Sequence, residues 1–165
     1  MSSKTITFLK SIEGVWCGEG RGIFPPRVPE FRYSEELTIR QGAKPPIFEF
    51  RSATRRLETG EPMHVEVGFI RCPPDGETIE MLVSHPFGLA EKSEGVWKDS
   101  HSIELQSSES TMLRTNSAGG VRTTKLKRIY RLDPRTGELT FTMDMATDKH
   151  PDIQNHLVCI LRKRN

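Results

Sequence analysis

The sequence predicts an all-β fold: a ten-stranded antiparallel up-and-down β-barrel of the lipocalin or fatty-acid-binding-protein kind, preceded by a short N-terminal helix. Three observations carry this. Apolar and polar residues alternate with a period of two through most of the chain, the pattern of half-buried strands. Turn-forming clusters interrupt the alternation roughly every ten to fifteen residues, which suits hairpins. Finally, 165 residues suffice for one compact core, and residues 1–165 read as a single domain with no linker or repeat. Two packed sheets fit the same pattern, whereas a barrel of about eight to ten strands has room inside for one ligand.

Along the chain, Ile6, Phe8, Leu9 and Ile12 fall near helical spacing, so a short amphipathic helix is expected to plug the fold. Residues 14 to 24, GVWCGEGRGIF, form a strand with Gly14, Trp16, Gly18, Gly20 and Gly22 on one face. Two readings of that bare face stand together: a sharply coiled strand turning a corner, and a wall left open for a ligand. In PMHVEVGFIR, Met63, Val65, Val67 and Phe69 alternate with His64, Glu66 and Gly68, and in TIEMLVSH, Ile79, Met81 and Val83 alternate with Glu80 and Leu82. The polar stretch 107–120 reads as a loop around one short strand. In LTFTMDMAT, Leu139, Phe141, Met143 and Met145 share a face, the clearest strand in the chain. Turns are expected at 42–46, 59–62, 73–76, 117–120 and 133–137, each rich in Gly, Pro or Asp.

Composition narrows the function. Hydrophobic residues make up 35%, charged residues 28% and aromatics 7%, with a net charge of +2. The basic runs at 125–128 and 162–164 lack interleaved aromatics, so no nucleic-acid partner is expected. No stretch has the length or apolarity of a signal peptide or a membrane span, which makes the cytoplasm the expected location and excludes a membrane partner. Cys17, Cys72 and Cys159 are too widely spaced for a redox pair or a zinc knuckle and read as reduced thiols. GEGRG does not complete a dinucleotide-binding motif, because Ile23 stands where the third glycine belongs.

Of the five histidines, none forms an HxH or HExxH pair, so a zinc site would have to be assembled from distant strands. His85, His101 and His150 sit beside turns and read as exposed. His64 lies in a strand with Glu66 and Gly68 on its face, and His156 in a strand with Val158 and Ile160 on its face. Such a histidine is either a satisfied core residue or the neutral imidazole that a haem iron needs. Met143 and Met145 suit core or pocket lining better than axial ligation. Glu19, Glu35, Glu36 and Glu91 are scattered, and no acid/base pair or nucleophile stands out. A carrier of fatty acid would want a buried Arg to hold a carboxylate head, and Arg128 with Tyr130 on one strand face is the nearest candidate.

Several motifs in order resemble one family, the nitrobindins. Gly14 to Pro25 is similar to the family's GxWxGxGxGxYP signature. The similarity continues through FRYSEEL (31–37), PMHVEVGFIR (62–71), FGLAEKSEG (87–95), RIYRL (128–132), LTFTMDMA (139–146) and QNHLVCILRK (154–163). The resemblance implies a ten-stranded barrel holding haem b, with His156 as the iron ligand. It also implies peroxynitrite isomerase activity, conversion of peroxynitrite to nitrate, and binding of nitric oxide. His64 would approach the haem, Gly20 and Gly22 would form part of its wall, and Met143 and Met145 would line the pocket. A homodimer is compatible with this reading. The family usually reads YPT after the glycines, its threonine touching haem; here Phe24-Pro25-Pro26 lacks both hydroxyls.

Overall fold

The computed structural model describes residues 4–42, 44, 46–74 and 76–165. A helix, α1 (Lys4–Ser11), precedes strands β1 (Gly14–Phe24), β2 (Val28–Gln41), β3 (Ile47–Arg56), β4 (Pro62–Arg71), β5 (Thr78–His85), β6 (Leu89–Asp99) and β7 (Ser102–Ser108). After a 3-10 turn at Glu109–Thr111 come β8 (Met112–Arg114), β9 (Thr123–Leu132), β10 (Leu139–Thr147) and β11 (Gln154–Lys163). Sequential strands pair antiparallel, β1 closes against β11, and β5 pairs with β6, so ten strands form a closed barrel. β8 is an eleventh, three-residue strand. It continues the line of β7 alongside the start of β6, the short strand expected within 107–120. The turns expected at 42–46 and 73–76 include Ala43, Pro45 and Asp75, which lie outside the described residues.

α1 forms the expected plug. Phe8, Leu9 and Ile12 are buried in the core cluster, each side chain contributing roughly 1.5–3 kcal/mol by leaving water. Trp16 fixes the helix exit: its Nε1–H donates to the Ile12 carbonyl at 2.8 Å, and Phe8 meets Trp97 edge to face at 5.8 Å. The clear strand behaves as its alternation predicts, with Leu139, Phe141 and Met143 buried. β4 does not follow the usual rule. Val67 and Phe69 are each 50% exposed on the outside, while Glu66 is buried within. A strand with a polar inner face needs a buried counter-charge, and β9 supplies Arg128.

The glycine face of β1 is not bare. Gly20 pairs with Tyr33 and Gly22 with Phe31 across β2, and the two rings fold back over them. A Cβ at Gly20 would lie 2.5 Å from the Tyr33 ring, and one at Gly22 2.2 Å from the Phe31 ring. Gly18 differs: its Cβ would fall 1.9 Å from the backbone oxygen of Ile160. The coiled-strand reading is compatible with Gly18, whereas the open-wall reading is corrected at Gly20 and Gly22, whose space is taken by the Tyr33 and Phe31 rings. Gly18 permits the coiled bend against β11, whereas Gly20 and Gly22 make room for aromatic rings.

Candidate functional site

His156 owes its position to a backbone irregularity. Leu157 pairs with Met143 and Asn155 pairs with Asp144, leaving His156 as the extra residue of a β-bulge. A regular strand would place it outside with Val158 and Ile160, the grouping that sequence parity predicts, and Ile160 is indeed half exposed. The bulge overturns that grouping. It re-aims the imidazole at the aromatic lining, with ring centroids 5.8 Å from Phe24 and 6.4 Å from Phe31. Phe31 is the ring that Gly22 accommodates, so the glycine strand and the histidine meet through it.

The His156 ring is also oriented chemically. Its Nδ1–H donates to the Ile23 carbonyl at 3.0 Å, since a carbonyl oxygen can only accept. That fixes the tautomer with a lone pair on Nε2, which makes no hydrogen bond among the described residues. Burial lowers the pKa of His156; the Ile23 bond opposes this, and nearby His64 acts in the same direction as burial. The neutral, ligating form is therefore favoured. Gln154 Nε2 donates to the Pro25 carbonyl at 3.1 Å, tying the β1–β2 turn to the start of β11 beside this ring.

Across the barrel lies a buried polar network. Arg128, fully buried, donates from Nη1 to Glu66 Oε2 at 2.8 Å and from Nη2 to Glu66 Oε1 at 3.1 Å. It also donates from Nε and Nη2 to Glu91 Oε1, at 3.0 and 2.7 Å. Burial by itself would raise both carboxyls, but the guanidinium overrides it, with His85 assisting, and holds both below the ordinary carboxylate range. His64 Nε2 and His85 Nδ1 are 3.0 Å apart, and Phe87 packs tilted against both rings at 5.3 Å.

Four sequence expectations change here. His85 is not an exposed turn residue but the buried end of β5. Glu91 is not scattered but half of a clamp on Arg128. Arg128, the fatty-acid candidate, already has its donors engaged by two carboxylates. His101 is exposed as expected, while His150 is partly buried against Phe24. Of the predicted pocket residues, Met143 is buried, Met145 packs at the edge of the core, and His64 is half-buried. The sequence placed His64 and Glu66 on one strand face, but no signal announced His85, which joins them only through the pairing of β4 with β5.

A closed barrel with an oriented imidazole set beside aromatic rings defines the candidate site, that of a small-molecule-binding barrel. Residues 5–163 match the family described as THAP4-like, heme-binding beta-barrel domain. A peroxynitrite isomerase of Arabidopsis thaliana is 36% identical over 157 residues, covering 94% of this chain and 86% of that protein. Peroxynitrite isomerase 1 of Mycolicibacterium paratuberculosis is 32% identical, covering 94% and 92%. The crystal structure of Rv2717c from M. tuberculosis superposes with a TM-score of 0.82 at 30% identity, covering 97% of each chain. This chain belongs to the THAP4-like haem-binding barrel family, the nitrobindins, whose cofactor is haem. Among the described residues, no helix is long and apolar enough to cross a membrane.

Proposed function

We propose that this protein holds haem b through His156 Nε2 and isomerises peroxynitrite to nitrate, with nitric oxide as a second ligand of the same site and the cytoplasm as its location. The observation that carries the reading is the bulged His156, its Nδ1–H committed to Ile23 and its Nε2 left for a metal. The donor set suits haem. A neutral imidazole supplies the ligand, and Phe24 and Phe31 supply flat apolar walls for a macrocycle. When bound, ferric haem supplies the electrophilic, redox-active centre that the rearrangement requires.

The chain's own residues hold and shield this centre. The Ile23 carbonyl keeps His156 in one tautomer and increases its basicity as a ligand. Tyr33 and Phe31, seated over Gly20 and Gly22, form the wall contributed by the glycine strand. Met143 and Met145 line the β10 side, and His64 approaches from β4, close enough to influence His156 electrostatically. The haem reading is preferred to the carrier reading because Arg128, the one buried arginine among the described residues, already holds two carboxylates.

Stopped-flow mixing of peroxynitrite with haem-loaded protein tests the activity. Faster decay with nitrate as the dominant product is expected, and His156→Ala should abolish the acceleration. Decay no faster than with buffer alone would refute the proposal.

A further inference from the structure

We propose that His64, Glu66 and His85 form a second metal site, one that takes a divalent first-row transition ion such as zinc independently of haem. The inference starts from three atoms. His64 Nε2 lies 3.0 Å from His85 Nδ1, and Glu66 Oε1 lies 3.5 Å from the first and 3.6 Å from the second. Zinc bonds of about 2.0–2.1 Å in tetrahedral geometry separate neighbouring ligand atoms by about 3.3 Å. The triangle already comes within about 0.3 Å of that size.

The surroundings of the triangle are those of a supported metal site. Metal-binding histidines usually donate their other ring N–H to a carboxylate. A metal on His85 Nδ1 places that ring's proton on Nε2, which faces Glu91 Oε2 at 3.8 Å. These two atoms are both buried and both without a hydrogen bond. One small shift of the ring would satisfy them together, giving the order carboxylate, histidine, metal. Glu66 is oriented in turn by the Arg128 fork. The charge count agrees: with both histidines neutral, as metal ligation requires, Arg128 against two carboxylates leaves one negative charge for a cation to offset.

Access and selectivity follow from the same geometry. The His64 side chain is 34% exposed, so the triangle can be reached from solvent. Two imidazoles with one carboxylate suit zinc, cobalt or ferrous ions and disfavour calcium and magnesium, which prefer all-oxygen shells. None of this involves His156, so the site can be tested without haem.

The test titrates Co2+ and then Zn2+ into the haem-free full chain, and into chain loaded with haemin. The expected result is one equivalent of Co2+ with the intense visible bands of a tetrahedral ion, displaced by Zn2+, and a thermal midpoint raised by Zn2+. His64→Gln and His85→Gln should each abolish this, and Glu91→Gln should weaken zinc roughly 10–100-fold through loss of its support to His85. His64 is half exposed, so its variant should fold even if that at His85 does not, and it then decides the question alone. Absence of stoichiometric binding, or wild-type affinity retained in either histidine variant, overturns the proposal. His156→Ala, which removes the proposed haem ligand and leaves the triangle intact, should bind Co2+ and Zn2+ like the wild type, so failure of this site and failure of the haem reading are distinguishable.

Discussion

His156 donates from Nδ1 to the carbonyl oxygen of Ile23 at 3.0 Å, and this bond joins the last strand of the barrel to its first. It exists because a single extra residue in β11 shifts the register against β10 between Met143 and Asp144. Deleting the bulge would return the histidine to the outer face. The candidate site is therefore encoded in register as much as in residue identity.

The glycines should show two different sensitivities. Gly22→Ala pushes a methyl into the Phe31 ring, a side-chain clash in the range of about 1–3 kcal/mol for overpacking. In a Phe31→Ala background that cost should largely vanish, a coupling visible in a double-mutant cycle by urea unfolding. Gly18→Ala meets the Ile160 backbone, so no side-chain deletion should rescue it. Equal costs of Gly22→Ala in both backgrounds would contradict the ring-over-glycine account.

Arg128 should be among the residues least tolerant of change. Arg128→Met leaves Glu66 and Glu91 buried without a cation, at a cost of about 3–5 kcal/mol. Replacing all three together, Arg128→Met with Glu66→Leu and Glu91→Leu, should recover most of that loss, because no uncompensated charge then remains. A loss below about 1 kcal/mol in the single variant would show that the network carries no such burden.

Glu35 gives stability a pH dependence of defined sign. Burial, the largest effect, raises its carboxyl from 4.5 to about 7, although Ser52 donates to Oε1 at 2.7 Å and opposes the rise. Its folded value thus lies above its unfolded value. Its contribution is complete below pH 4.5 and is lost as pH rises through about 7. At 1.36 kcal/mol per pH unit the loss is about 3 kcal/mol. Glu35→Gln should flatten the profile of unfolding free energy across that window; an unchanged slope would assign the dependence elsewhere.

Much of the fold was legible in the chain because its signals are local. Period-two runs such as LTFTMDMAT, helical spacing in residues 6–12 and turn clusters each reflect neighbouring residues meeting one environment. What escaped depends on residues far apart. Glu66 sits inside β4 only because Arg128, 62 residues later, neutralises it, so alternation alone gave no hint that Val67 and Phe69 face outward. The rings of Phe31 and Tyr33 fill the glycine face from across a strand pair. His85 looked like a turn residue because it is the last residue of β5, yet its side chain turns inward. His156 was singled out as a candidate by family resemblance and by strand type, while the bulge that aims it has no sequence mark.

The most direct test of the central claim is a haemin titration of wild type and His156→Ala, followed by the Soret absorption. The account predicts one equivalent bound by wild type with a histidine-ligated spectrum. In the variant, affinity should fall by more than the roughly 10–100-fold that loss of a mere supporting residue costs, and added imidazole should restore the spectrum. If His156→Ala takes up haem as tightly and with an unchanged spectrum, His156 is not the iron ligand.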